Sequence, residues 1–137
     1  MDKKNPVARA VNPIRFEIDS ELAGLRDLCK AAWGAPADAS LERVVKRGLA
    51  HVGAFDGSKL VGFVNVAWDG GVHAFILDPC VHPDYRRKGI GTGLVTRAVD
   101  ASRQRGAKWV HVDFEPHLRS FYRGCGFRPT EAGLIAL

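Results

Sequence analysis

The stretch HPDYRRKGIGTGL, residues 82–94, constrains this chain more than any other. It follows VHAFILDPCV (72–81), an almost continuous apolar run of the kind expected for a central strand buried on both faces. It leads into a segment where Leu94, Val95, Ala98, Val99 and Ser102 recur at helical spacing, with Gly106 as a natural stop. A strand, a tight basic loop and a helix are thus joined in direct succession. The first N–H groups of such a helix have no acceptor within it and carry partial positive charge. Gly89, Gly91 and Gly93 let an anion approach that backbone with no Cβ between, and Arg86, Arg87 and Lys88 add whole charges. The stretch predicts a phosphate cradle, and its charge density suits a polyphosphate.

Two common phosphate loops do not fit. A Walker A loop places its lysine after the second glycine and before Ser or Thr, whereas Lys88 precedes the glycines. A dinucleotide fingerprint needs GxGxxG tight against its strand and an acid about 20 residues on. Asp113 stands at a suggestive distance, but the glycines read GxGxG and seven residues separate them from the strand.

Around this loop the pattern reads β-α-α-β-β-β-α-β-α-β(-β). IRFEI (14–18) alternates as a strand. Ser20 is expected to cap a helix running to Trp33, ended by Gly34 and Pro36, with Leu22, Leu25, Leu28, Cys29, Ala32 and Trp33 inward. Asp38 or Ser40 opens a second helix that stops near Gly48. HVGAF (51–55) and LVGFVNVAW (60–68) flank Asp56-Gly57, a hairpin signal, and Asp69-Gly70-Gly71 makes a second turn. WVHVDF (109–114) reads as a strand, 117–123 as a short helix, and FRPTEAGLIAL (127–137) as one or two more strands.

Arg86-x-x-Gly89-x-Gly91, after a strand and opening a helix, resembles the acetyl-CoA signature of the GNAT superfamily of N-acetyltransferases. VHPDYRRKGIGTGL is close to the common VxPxYRxxGIGxxL. FYRGCGF (121–127) looks like the second hallmark, a Phe-Tyr followed by a Gly-Phe. The order of elements agrees over nearly the whole chain. The resemblance implies an α/β (α+β) fold, a mixed and mainly antiparallel sheet of six to seven strands with a central splay, flanked by about four helices.

It also implies a chemistry. Acetyl-CoA would be the co-substrate, with backbone N–H groups near Cys80 and Val81 meeting the pantetheine arm and thioester carbonyl. Arg86, Arg87, Lys88, Gly89, Ile90, Gly91, Thr92 and Gly93 would hold the pyrophosphate. An amine would attack the thioester directly in a ternary complex, with Tyr122 as general acid. Some members carry a glutamate midway along the strand that here ends at Val81; this chain has no carboxylate there until Asp78. Glu115 stands where many members have asparagine. Asp78, Glu115, His111 and His117 are candidates for steering or deprotonating the amine, each with an ordinary reading as salt bridge, cap or surface group. A water relay would also serve. Acceptor selection would fall to the first two helices and the hairpin turns, where Trp33 and Trp68 could line a pocket. Asp38, Glu42, Asp69 and Glu115 could attract a cation.

Composition bounds the rest. At 137 residues one domain is expected, with 1–12 a loose N-terminal tail rather than a secretory signal. No apolar run reaches membrane-spanning length. Three cysteines (Cys29, Cys80 and Cys125) without metal-type spacing read as reduced thiols of a cytoplasmic protein, and no histidine pattern suggests a metal. A net charge of +5 suits an anionic ligand. Two other readings stand beside an enzyme: a catalytically silent acyl-CoA-binding sensor, and a nucleic-acid-binding module using arginines such as Arg97, Arg103 and Arg119. No nucleic-acid signature accompanies those arginines. The amine acceptor is not spelled out, nor is an interface for the homodimers frequent among such proteins.

Overall fold

The computed structural model describes residues 13–35 and 37–137. The expected tail (1–12) and the helix stop at Pro36 lie outside the described residues. The strands are β1 (Arg15–Ile18), β2 (Ala50–Asp56), β3 (Lys59–Trp68), β4 (His73–Val81) and β5 (Trp109–His111), in that spatial order. The first four are antiparallel neighbours, and β5 runs parallel to β4. The helices are α1 (Leu25–Trp33), α2 (Leu41–Arg47), α3 (Ile90–Gln104) and α4 (Arg119–Gly124).

Alternation along β2 and β3 divides the core between the two faces of the sheet. Val52, Ala54, Val64, Val66 and Ile76 meet Ile90, Leu94 and Ala98 of α3 on one face. Phe55, Leu60, Phe63 and Cys80 meet Leu25, Leu28 and Cys29 of α1 and Leu41 of α2 on the other. Each large aliphatic or aromatic side chain so buried contributes about 1.5–3 kcal/mol. On the inner face of α3, the Ser102 hydroxyl is buried and satisfied by donating to the Ala98 carbonyl at 2.7 Å.

Several expectations are corrected. Among the described residues the sheet has five strands, not six to seven, because 128–137 adds none. The strand read over 109–114 ends at His111, where its pairing with β4 stops. The first helix begins at Leu25 after Gly24 in a left-handed conformation, so Ser20 is not its cap. β4 is not buried on both faces throughout: Leu77, Asp78 and Pro79 are exposed. There the β3–β4 register slips between Phe63 and Asn65, and Asp78 takes φ 55°, which marks a bulge.

Candidate active site

The bulge and the short β5 together make a cleft. β4 and β5 pair only through His73–Phe75 and Trp109–His111. From Ile76 onward one edge of β4 has no partner strand among the described residues. His82 donates its N–H to the Val61 carbonyl on β3 at 2.8 Å. The pleat therefore turns the N–H of Val81 the other way, toward the gap.

A groove of about 260 Å³ opens there. Its walls are Ala32 and Trp33 at the end of α1, Pro79–Val81, Arg86, Gly91 and Leu94, and Leu118, Phe121 and Tyr122. Behind the groove mouth the basic loop leaves β4 through a single 3-10 turn, Pro83–Tyr85. Tyr85 fixes that turn by donating to the Asp56 carboxylate on β2 at 2.5 Å. Arg87 and Gly89 both adopt positive φ, 64° and 79°, so the chain doubles back before α3 starts at Ile90. A Cβ on Gly89 would meet nothing within 4 Å, and one on Gly91 only the Phe121 ring at 3.4 Å. The backbone at the first turn of α3 is therefore uncrowded on that side.

Not every residue of the loop faces that opening. A Cβ on Gly93 would stand 2.5 Å from Cζ of Phe16 on β1. Its bare backbone serves the packing of α3 on the sheet, over which Arg97 also stacks on the Phe16 ring. Ile90 is buried in the core beneath the loop. Arg86 donates to the Ala32 carbonyl at 3.2 Å, tying the loop to the last turn of α1. Arg87, Lys88 and Thr92 are exposed.

Tyr122 is 3% exposed, and its ring is enclosed by Phe114, Phe121 and Phe127 at centroid distances of 4.7, 4.9 and 5.8 Å. Burial, with smaller repulsion from Cys125 and Asp113, pushes its hydroxyl above the ordinary tyrosine range. Tyr122 forms part of the groove wall. Burial also pushes the Cys80 thiol up to about 12, with Cys29 beside it adding to the shift. A thiol so disposed is a poor nucleophile at neutral pH.

A second groove of about 150 Å³ lies against the bulge, bordered by Trp33, Asp38, Ser40, Leu41, Val44 and Asp78. Desolvation holds the Asp78 carboxyl above the usual carboxylate range, although the residue as a whole is exposed. Asp38 is held below that range by the Ser40 hydroxyl and N–H, the latter at 2.7 Å. Trp33 borders both grooves, and Asp78 directly precedes Pro79 and Cys80 of the first. Glu115 is exposed at the start of a 3-10 turn and borders neither groove. His111 accompanies His73, ring nitrogens 2.8 Å apart, further back along the sheet. Trp68 is exposed and borders neither groove. Sequence reasoning missed the double placement of Trp33 and the tie from Arg86 to Ala32. The one signal was a tryptophan in the last turn before Gly34.

Residues 21–127 match the family described as Acetyltransferase (GNAT). The chain belongs to the GNAT acetyltransferase family. It is 36% identical over 70 residues to an uncharacterized N-acetyltransferase, ycf52, of Pyropia yezoensis, across 51% of this chain and 40% of that protein. The chain thus matches less than half the length of that curated relative. A GNAT family acetyltransferase of Streptococcus pneumoniae superposes with a TM-score of 0.76 at 25% identity, covering 91% of this chain and 98% of the other. AAC(6')-Iy, solved with the bisubstrate analog CoA-S-monomethyl-acetylneamine, shares the fold with a TM-score of 0.74 at 21% identity, covering 92% and 98%. Among the described residues no helix is long and apolar enough to cross a membrane, and no three His, Cys, Asp or Glu side chains gather as metal ligands.

Proposed function

We propose that this chain, as one domain, transfers the acetyl group of acetyl-CoA to a primary amine within a ternary complex. One observation carries the reading: the free edge of β4, the open first turn of α3 and the Tyr122 ring converge on a single groove. Acetyl-CoA supplies the activated acetyl thioester; the protein supplies placement, charge and a proton. Gly89, Gly91 and the exposed Arg87, Lys88 and Thr92 fit a pyrophosphate, and Arg86 frames the same groove from its tie to α1. Ile90 and Gly93 support the loop from below. The Val81 N–H, next to Cys80, stabilises negative charge on the carbonyl oxygen under attack. Tyr122 gives its proton to the departing sulfur. A direct transfer accords with the neutral Cys80 thiol, which offers no acyl-accepting nucleophile. Asp78 is the group best placed to orient or deprotonate the amine, because the acceptor groove adjoins its carboxyl. Glu115 lies apart from that groove and is ranked below it. The unpaired Cys29, Cys80 and Cys125 suit a reducing, cytoplasmic compartment.

Calorimetric titration with acetyl-CoA, CoA and NAD tests the binding half. Tight acetyl-CoA binding with none for NAD is the expected result; absence of acetyl-CoA binding sinks the reading. Thioester cleavage across an amine panel tests the catalytic half. Binding without turnover on any amine would instead favour a silent acyl-CoA sensor.

A further inference from the structure

The fold brings together two histidines that lie 38 residues apart in the chain. Their spacing forms no metal pattern in the sequence, because the parallel pairing of β4 with β5 is what makes them neighbours. Phe75 stands opposite His111 in that pairing. Side chains alternate between the faces of a strand, so His73 and Phe75 share one face of β4. Ala74 and Ile76 turn the other way, into the core beneath α3. Nδ1 of His73 and Nε2 of His111 are 2.8 Å apart. The His111 ring stacks on Phe75, with centroids 4.8 Å apart and planes inclined by 19°. Both imidazoles are thus held on strands, yet water reaches them: His111 is exposed and His73 half-buried. In the neutral pair one facing nitrogen carries a hydrogen and the other accepts it. A single proton therefore bridges β4 and β5. The Asp69 carboxylate accepts from the N–H of Gly71 at 2.7 Å and of His73 at 3.3 Å, which places negative charge at the start of β4.

We propose that His73 and His111 together hold one divalent first-row transition ion, of the Zn²⁺ class, across β4 and β5. The ion takes the place of the bridging proton. The ring whose facing nitrogen carries hydrogen changes tautomer through water, so both facing lone pairs turn to the ion and the neutral pair loses no net proton. A Zn–N bond is about 2.0–2.1 Å long, and two of them at a right or tetrahedral angle set their nitrogens roughly 2.9–3.4 Å apart. The facing nitrogens already stand close to that separation. Imidazole suits Zn²⁺, Ni²⁺ and Cu²⁺, whereas Mg²⁺ and Ca²⁺ favour oxygen ligands. No third His, Cys, Asp or Glu completes the set among the described residues, so water fills the remaining positions. The ion lies where β4 and β5 still pair, at the closed end of the cleft, and fastens that short stretch. The proposal does not depend on the acetyl-transfer reading.

Zn²⁺ titrated calorimetrically into the metal-stripped full chain is expected to bind, and Mg²⁺ is not. His73→Gln and His111→Gln are each expected to weaken Zn²⁺ binding by at least about tenfold, the scale on which even outer partners of a metal matter. Zn²⁺ should raise the melting temperature of the wild type and leave that of either variant in place. Nitrogen NMR of the wild-type histidines gives a readout that needs no variant: Nδ1 of His73 and Nε2 of His111 should shift with Zn²⁺ while the other histidines hold still. A wild type that binds no Zn²⁺, or that binds Mg²⁺ as tightly, overturns the proposal. So does binding as tight in either variant as in the wild type, or saturation with Zn²⁺ that leaves both of these nitrogens unshifted, which would assign the ion to the cysteines or to another histidine.

Discussion

At the scale of single residues, the glycines of the basic loop divide into two kinds of work. Gly89 supplies a left-handed turn with open space around it, and Gly91 keeps the first turn of α3 bare. Gly93 instead admits the Phe16 ring, with no room for a methyl group. Gly93→Ala is therefore expected to destabilise the fold by about 1–3 kcal/mol through overpacking while acetyl-CoA affinity stays close to wild type. Chemical denaturation and calorimetry on one preparation check both halves. Gly91→Ala is expected to do the reverse, weakening the cofactor with little loss of stability, because its Cβ meets only a ring edge at ordinary contact distance. Tyr122 is legible from sequence by its place in FYRGCGF, but its aromatic enclosure is not. Tyr122→Phe keeps that packing and removes only the proton. Turnover is expected to fall about 100-fold or more with acetyl-CoA affinity nearly kept. The hydroxyl is raised above its usual value of about 10, so the basic limb of the wild-type rate profile should lie above that pH and be absent from the variant.

At the scale of elements, β4 decides the site. Its apolar run and the loop after it can be read from the residues, because strand pattern and helix start are local. The bulge at Asp78 cannot, because it records a disagreement in length between β3 and β4 that neither strand contains alone. For the same reason the sequence extends β5 to Phe114: alternation continues there, while its hydrogen-bonding partner has already turned away. The missing sixth strand has another cause. A strand pattern in 127–137 is a local preference, and no strand among the described residues takes it up. The bulge also carries a cost in stability. Asp78 is held above the usual carboxylate pKa by desolvation, so the folded state is penalised once it ionises. The penalty is absent below the unfolded pKa of about 3.9 and full above the raised folded value. Asparagine tolerates the positive φ of this position. Asp78→Asn should therefore raise the melting temperature at pH 7, leave it unchanged near pH 3, and lower kcat/KM for the amine. Equal melting temperatures at both pH values would mean that the carboxyl is not desolvated, and an unchanged kcat/KM would remove it from the amine's path.

At the scale of the whole molecule, the question is whether the net charge of +5 or its local arrangement brings in an anionic ligand. Arg87 and Lys88 are exposed and pair with no carboxylate among the described residues. Groups of this kind add little to stability and much to the field at the groove mouth. If the local arrangement governs, Arg87→Ala/Lys88→Ala should slow acetyl-CoA association about tenfold or more at low salt. It should also flatten the salt dependence, since most of the screened attraction is gone. The melting temperature should not move. Lys46→Ala/Lys108→Ala removes the same two charges from elsewhere on the surface and serves as the control. Stopped-flow association rates over a salt series separate the two views. Equal slowing in both variants would assign the effect to net charge alone. Slowing confined to the loop variant would assign it to Arg87 and Lys88, just ahead of α3, where bare backbone and positive charge lie together.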